Sequence, residues 1–352
     1  MITHTALGIM SGSSLDGVDL TFCSFDKIDK KWNYKIIHSE TVPFSEEWKI
    51  ILYELPTKSA AELVEYDISF GIFLAEAVNG FLDKHGIEPD LIASHGHTIF
   101  HEPAKGFTFQ LGHGQTIAQF TGVKTINDFR IKDIQLGGQG APLVPIGDSL
   151  LFSEYEFCLN IGGIANISYD VNGSRIAFDV CPANQLLNFL SLQLGKPFDE
   201  NGRFAQLGKL NRPLFDKLNS DPYFQNKSPK SLSNQYVQSV FTKILDDTDC
   251  SVEDKLYTVV KHIAFQVNEA VKDFSSGKIL ITGGGAHNQF LTNAILMETK
   301  NEIVIPDKEI IDFKEALIFA FMGVLRNMGE YNCLASATGA TTNSSSGAIY
   351  NP

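Results

Sequence analysis

Residues 7–26 read LGIMSGSSLDGVDLTFCSFD. An apolar run from Leu7 to Met10 breaks into SGSSLDG at 11–17 and resumes with apolar residues at alternate positions, Val18, Leu20 and Phe22. Alternation is the period of a half-buried strand, so the stretch predicts two strands, 5–10 and 17–25, joined by a short polar turn. Glycines in such a turn permit positive φ and close backbone approach to a ligand. Its successive backbone N–H groups form an anion nest, to which Ser11, Ser13 and Ser14 add hydroxyl donors. A polar hairpin turn with no ligand is the competing reading of this loop alone. Residues 160–168, NIGGIANIS, place a second Gly-rich turn between strand-like runs, so that two nests would hold adjacent phosphates.

Working outward, the first half continues with a third strand at 33–42. A helix follows over DISFGIFLAEAVNGFLDKHG, capped by Asp67 and ended by Gly86. Then come a buried strand DLIASHG, a short helix GQTIAQFTG and a strand VKTIND, giving the order βββαβαβ. From residue 157 the order recurs: FCLNIGG, IANISYDV and RIAFDV as strands, PANQLLNFLSLQLG as a helix, KILITGGG and NEIVIP as strands with NQFLTNAILMETK between them, and FKEALIFAFMGVLRN as a final helix. The second copy carries an insert at about 200–275, whose DPYFQNKSPKSL is too polar and proline-broken for core and which is expected to line or cover a cleft. Duplication on this scale predicts an α/β protein of two similar domains with a ligand cleft between them. The expected boundaries are 1–130, with the tail 336–352 as a candidate addition, and 131–335.

A hydrophobic content of 43% over 352 residues is enough for two cores. The formal charge of −13 argues against nucleic-acid and anionic-membrane partners, both of which require basic patches, and favours a small-molecule ligand. Five widely spaced cysteines without a CxxC pair fit neither a disulfide framework nor a zinc site. The longest apolar run, ALIFAFMGVL, is about half a bilayer span, and no basic region precedes an apolar one at the N-terminus. The expectation is a soluble cytoplasmic protein. ITGGGAHN at 281–288 ends a strand in three glycines before a helix, which suits close approach to a flat ligand or a phosphate. Neither GxxxxGKS nor GxGxxG occurs, so neither a Walker-type nor a Rossmann site is indicated.

GIMSGSSLDGVD, SHGHTIFHEP, NDFRIKDIQLGGQGAPLVP, NIGGIANIS, FDVCPANQLLN, SDPYF, ITGGGAHN and EALIFAF together resemble the anhydro-N-acetylmuramic acid kinase family. That family belongs to the superfamily of sugar kinases, Hsp70 and actin, and the resemblance implies two ribonuclease H-like domains with mixed sheets flanked by helices and an active-site cleft between them. It implies an enzyme that uses ATP and Mg2+ to open 1,6-anhydro-N-acetylmuramic acid hydrolytically and phosphorylate its 6-oxygen, in peptidoglycan recycling, and that acts as a homodimer. Asp179 in FDVCPAN matches the family's catalytic aspartate, the base for water attack; a helix N-cap is its competing role. Gly12, Ser13, Ser14, Leu15, Asp16, Gly17, Val18 and Asp19 match the ATP segment, and Gly283, Gly284 and Gly285 the adenosine-side loop, with Gly162 and Gly163 in the second nest.

Related kinases carry an aspartate two residues before the first loop glycine, where this chain has Met10, so Asp16 is the nearest metal contact, or equally an Asx-turn residue. Arg130 is the natural cation for the lactyl carboxylate, against a surface ion pair with Asp128 or Asp133. Glu315 matches an acidic sugar contact, although Asp312 and Glu315 also have capping-box spacing. His95, at a strand end, is suited to bonding sugar hydroxyls, and a zinc pair with His97 lacks an evident third ligand. Where the family reads DTGPGN this chain reads DVCPAN, so Cys181 is expected to narrow the phosphate loop. Two functions follow: an active kinase tolerating a variant loop, or a kinase-fold protein that binds sugar or nucleotide without turnover.

Overall fold

The computed structural model describes residues 3–12, 15–226, 228 and 230–352. Ser13 and Ser14, two of the expected phosphate donors, lie outside the described residues. The chain forms two compact units, residues 1–151 with 313–352, and residues 152–312.

The first unit opens with β1 (Thr3–Ser11), β2 (Gly17–Ile28) and β3 (Lys31–Pro43), followed by α1 (Glu46–Glu54) and α2 (Ala60–His85). β4 (Leu91–Glu102), β5 (Phe107–Leu111), α3 (Gly114–Thr121), β6 (Thr125–Asn127), α4 (Ile131–Gln135) and α5 (Pro145–Leu151) complete its first segment. The second unit runs through β7 (Phe157–Ile161), β8 (Ile164–Val171), β9 (Ser174–Pro182), α6 (Asn184–Gln193) and α7 (Arg212–Asn219). α8 (Asn234–Tyr236) passes through a π-helical stretch, Val237–Thr242, into α9 (Lys243–Asp246), ahead of α10 (Val252–Val271). β10 (Lys278–Thr282), α11 (Gln289–Glu298) and β11 (Glu302–Val304) follow. α12 (Lys308–Asn327) contains the chain's return to the first unit, which ends in α13 (Ala335–Thr338) and β12 (Ala348–Tyr350).

The duplication is visible in the sheets. The first is ordered β12-β6-β4-β1-β2-β3 with β5 on β4, and the second β11-β10-β7-β8-β9. In each, the first three strands form an antiparallel meander, a later strand (β4 or β10) pairs parallel with the first, and one more (β6 or β11) pairs parallel with that; β5 is an antiparallel addition to β4. The parallel joins require a helical crossover, supplied by α2 and α3 in one copy and by the α6–α10 segment and α11 in the other.

In the first unit, Val18, Leu20 and Phe22 alternate along β2 and pack with Phe70, Leu74, Val78 and Phe81 of α2, whose three- and four-residue spacing makes one buried helical face. The opposite face of β2 is covered as well: Phe25 lies 5.3 Å from Phe321 of α12 between ring centroids. α12 lies flush on the sheet because glycine stands at the closest approaches. A Cβ on Gly8 would collide with the Ala316 carbonyl, and one on Gly323 would come within 2.6 Å of the Ala93 side chain.

Some expectations change. α2 begins at Ala60 under a capping box of Ser59 and Glu62, so Asp67 lies inside the helix, where its carboxylate accepts from the Gly112 N–H at 2.7 Å; Gly86 does end the helix. The compact units break at 151/152 and 312/313, not at 130 and 335. Residues 131–151 stay with the first unit through two buried acids. Asp133 accepts from the Thr338 hydroxyl at 2.7 Å, and Asp148 pairs with Lys314 at 2.6 Å. The tail adds β12 antiparallel to β6. The insert is not merely a cover, since Tyr223, Leu232 and the Leu256, Val259, Ile263 and Val267 face of α10 belong to the core of the second unit.

Candidate functional site

Asp179 sits on β9 beside a bulge. Asn166 of β8 pairs with Asp179 and Ala165 pairs with Cys181, so Val180 is the extra residue on β9. Bulges re-aim side chains and are enriched beside active sites. Here the bulge leaves Asp179 half-buried while Val180 and Cys181 are both buried in the core. One carboxylate oxygen, Oδ2, accepts from the Leu232 N–H at 2.8 Å, and Oδ1 has no hydrogen-bond partner among the described residues. Its main chain is held on both sides, the N–H donating to the Lys230 carbonyl at 3.1 Å and the carbonyl accepting from the Tyr223 hydroxyl at 2.6 Å. Burial raises the Asp179 pKa to about 6, opposed by the Leu232 hydrogen bond. The carboxylate does not cap α6, whose N-cap is Ala183 without a side-chain bond.

The Leu232, Lys230 and Tyr223 supports were not read from sequence. Tyr223 stands in SDPYF, a motif noted only for its resemblance, and backbone donors such as Leu232 N–H have no side-chain signature. Lys230 lies 4.6 Å from the Tyr223 ring centroid and 5.7 Å from that of Phe178, so its ammonium rests on aromatic faces, and burial lowers its pKa. The expectation that Cys181 narrows a phosphate loop meets a side chain that points away from solvent. Like those of Val180 and Ala183, it is buried in the hydrophobic core.

In the same unit, the Gly162 and Gly163 carbonyls accept from the N–H groups of Asn184, Ala183 and Gln185 and so close the start of α6. Gly283 adopts φ 80°, ψ 169°, a region open almost only to glycine, and a Cβ there would come within 2.9 Å of the Ile161 carbonyl. Gly285 is buried against Ile161, while Gly284 is exposed with nothing closer than 3.7 Å to an added Cβ.

In the first unit, among the described residues of the 11–17 turn, Leu15 adopts a left-handed conformation (φ 58°). Gly17 allows close approach to Val42 of β3. Val18 is buried in the core, and Asp19 accepts from the Thr41 hydroxyl at 2.6 Å. Ser11 is buried and hydrogen-bonds Nδ1 of His97 at 2.9 Å, and burial holds the His97 pKa down to about 4. His97 and Ser11 therefore brace β1 against β4. Asp16 is exposed. Among the described residues no group of three His, Cys, Asp or Glu side chains is placed to hold a metal. A lone carboxylate still fits magnesium, which keeps several waters and takes one or two carboxylates beside substrate phosphates.

Arg130 and His95 form one unit. Arg130 donates from Nε (3.0 Å) and Nη2 (2.8 Å) to His95 Nε2, and from Nη1 to the Gly140 carbonyl at 2.6 Å. His95 Nδ1 lies 2.8 Å from the Gly96 carbonyl. A nitrogen facing a carbonyl must carry the proton, and one facing a guanidinium must not, so His95 is neutral with its proton on Nδ1. Burial and the Arg130 charge hold its pKa well below the ordinary value. Both ring nitrogens are thus used by protein, which redirects His95 from sugar contact to holding the arginine. Arg130 hydrogen-bonds neither Asp128 nor Asp133. It keeps one N–H on each terminal nitrogen for a further acceptor.

Glu315 lies inside α12, whose first turn is capped instead by Asp307, with Oδ1 2.9 Å from the Ile310 N–H; Asp312 pairs with His287 at 2.6 Å. This removes the capping-box reading. The Glu315 carboxylate accepts no hydrogen bond among the described residues. Burial raises its pKa, with the Arg130 and Lys314 charges acting against that and Asp19 adding to it.

The family described as anhydro-N-acetylmuramic acid kinase matches residues 4–352. The chain belongs to the anhydro-N-acetylmuramic acid kinase family. It is 36% identical to the anhydro-N-acetylmuramic acid kinase of Coxiella burnetii (strain RSA 493 / Nine Mile phase I), covering 98% of this chain and 96% of that protein. It is 34% identical to that of Photobacterium profundum, covering 99% of each. Of solved structures, the activator of the 2-hydroxyisocaproyl-CoA dehydratase from Clostridium difficile with bound ADPNP aligns over 92% of this chain and 97% of its own, at 14% identity and a TM-score of 0.43. Membership in the anhydro-N-acetylmuramic acid kinase family makes the protein a phosphotransferase. Among its described residues no helix is long and apolar enough to cross a membrane.

Proposed function

We propose that the protein hydrolyses the internal bridge of 1,6-anhydro-N-acetylmuramic acid and phosphorylates the freed 6-oxygen with ATP, giving N-acetylmuramic acid 6-phosphate in cell-wall recycling. The observation that carries this reading is Asp179: a half-buried carboxylate with one oxygen fixed by Leu232, the other available, and a pKa of about 6. That is the environment of a general base working near neutral pH. Asp179 Oδ1 takes a proton from the water that attacks the anomeric carbon. The bond from that carbon to the bridge oxygen breaks with its electron pair on oxygen, and this oxygen displaces ADP from the γ-phosphorus in line.

Arg130 meets the lactyl carboxylate with its two remaining N–H groups, held in place by His95 and Gly140. Glu315 accepts from sugar hydroxyls. The segment 12–19 and the glycines 162, 163 and 283–285 approach the nucleotide, with Gly283 and Gly285 shaped by Ile161 and not by a ligand alone. Asp16 is the residue that would hold magnesium, which when bound neutralises phosphate charge. A homodimer working in the cytoplasm is part of the proposal on the family resemblance, and five free cysteines suit a reducing compartment. The binding-only alternative loses its motive, because the variant side chains Val180, Cys181 and Ala183 lie in the core.

The test is ADP release from ATP and magnesium with and without the anhydro sugar. Release that requires the sugar supports the kinase. Sugar binding without ADP release overturns it.

A further inference from the structure

Three of Arg130's five N–H groups are used by protein, two on His95 and one on the Gly140 carbonyl. The Gly140 residue is itself held at its other end, since its N–H donates to Oδ2 of Asp133 at 2.8 Å. Asp133 is 0% exposed. Its second oxygen accepts from the Thr338 hydroxyl at 2.7 Å and from the Cys333 thiol at 3.2 Å. The turn between Asp133 and Gly140 wraps this carboxylate: a Cβ on Gly138 would collide with it, and Gly140 adopts φ 67°. The turn is also stitched to the tail, Gln139 N–H to the Thr338 carbonyl at 2.9 Å and Thr341 N–H to the Leu136 carbonyl at 3.0 Å. A buried carboxylate with three donors is costly to displace, so the glycine it holds is a fixed point for the guanidinium.

We infer that Asp133 is a positioning residue for sugar recognition, fixing Gly140 and through it Arg130, and that Cys333 and Thr338 make the C-terminal segment part of this apparatus. The inference rests on the reading of Arg130 as the partner of the lactyl carboxylate. Asp133 itself touches no substrate. Its chemistry is to hold one peptide group so that the two remaining guanidinium N–H groups point at a fixed place, which lowers the ordering cost of binding a carboxylate.

A purely structural Asp133 would change folding, or all kinetic constants together. Positioning predicts a split. Asp133→Ala is expected to raise KM for 1,6-anhydro-N-acetylmuramic acid about tenfold or more, while kcat and KM for ATP stay within about twofold. Asp133→Asn should recover most of the loss, because its amide oxygen still accepts from Gly140 while its NH2 faces the Thr338 hydroxyl, which can accept. Thr338→Val removes one buried hydroxyl, raises the same KM by a smaller factor, and decides the matter if Asp133→Ala does not fold. An unchanged sugar KM in the variants, or sugar KM, ATP KM and kcat moving together, overturns the inference. If the wild type makes no phosphosugar, the functional reading fails separately. The Arg130 Nε–H resonance in 15N NMR then tests the positioning alone. Slow exchange in the wild type that becomes fast in Thr338→Val supports it, and an unaltered resonance overturns it.

Discussion

The Asp179 carboxylate accepts from the Leu232 N–H at 2.8 Å through one oxygen only, so a segment of the insert holds the proposed base and leaves its other oxygen available. Asp179→Asn keeps an acceptor for Leu232 and removes the proton-accepting charge. The expected result is loss of product formation by a factor of about 100 or more, with the fold intact by circular dichroism.

The pH dependence follows from the same residue. With a pKa of about 6, Asp179 is protonated and inactive as a base below that value, so kcat/KM should fall on acidification with an apparent limb near 6. A limb near the ordinary value of 3.8 would place the base in a solvated environment instead.

Stability should move in the opposite sense. Burial raises the Asp179 pKa, so the folded chain binds this proton more tightly than the unfolded chain. Its contribution is fully present below 3.8 and is lost as the pH rises through about 6. Asp179→Asn is therefore expected to be more stable than the wild type at pH 7, by an amount on the order of 2–3 kcal/mol at most. Thermal unfolding of both proteins at pH 5 and pH 8 checks this, with the gap widening at pH 8.

Arg130→Lys removes the planar fork that grips His95 Nε2 from two nitrogens. A lysine presents a point charge and cannot reproduce both contacts, so KM for the sugar should rise about tenfold or more while KM for ATP is unchanged. Equal rises for both substrates would remove Arg130 from sugar recognition.

The glycines 283 and 284 should separate by one substitution each. Gly283→Ala places a Cβ within 2.9 Å of the Ile161 carbonyl at φ 80° and is expected to cost about 1–3 kcal/mol in denaturant unfolding. Gly284→Ala meets nothing closer than 3.7 Å and should leave stability unchanged.

Strand alternation and turn residues carried the two sheets into view, because β1–β2 and β7–β8 are local pairings with a period of two. The start of α2 escaped because Asp67, a fair cap by type, competes with the stronger Ser59–Glu62 pair nearer the N-terminus. The site was legible as residue types and illegible as partnerships. His95 looked like a hydroxyl contact, yet both nitrogens are used by Gly96 and Arg130. Cys181 looked like an obstruction, but the bulge at Val180 sends its side chain into the core. Asp133 read as a surface charge beside Arg130, whereas the tail buries it through Cys333 and Thr338, some 200 residues away in sequence. Such links depend on chain closure over long separations, which composition and periodicity do not encode.

The most direct test of the central claim is mass spectrometry of the sugar after incubation with ATP and magnesium, for the wild type and Asp179→Asn side by side. The account predicts a wild-type product heavier than 1,6-anhydro-N-acetylmuramic acid by one water and one phosphoryl group, and unaltered sugar with the variant. A wild-type sugar that gains neither, or an Asp179→Asn protein that forms the product at the wild-type rate, would contradict it.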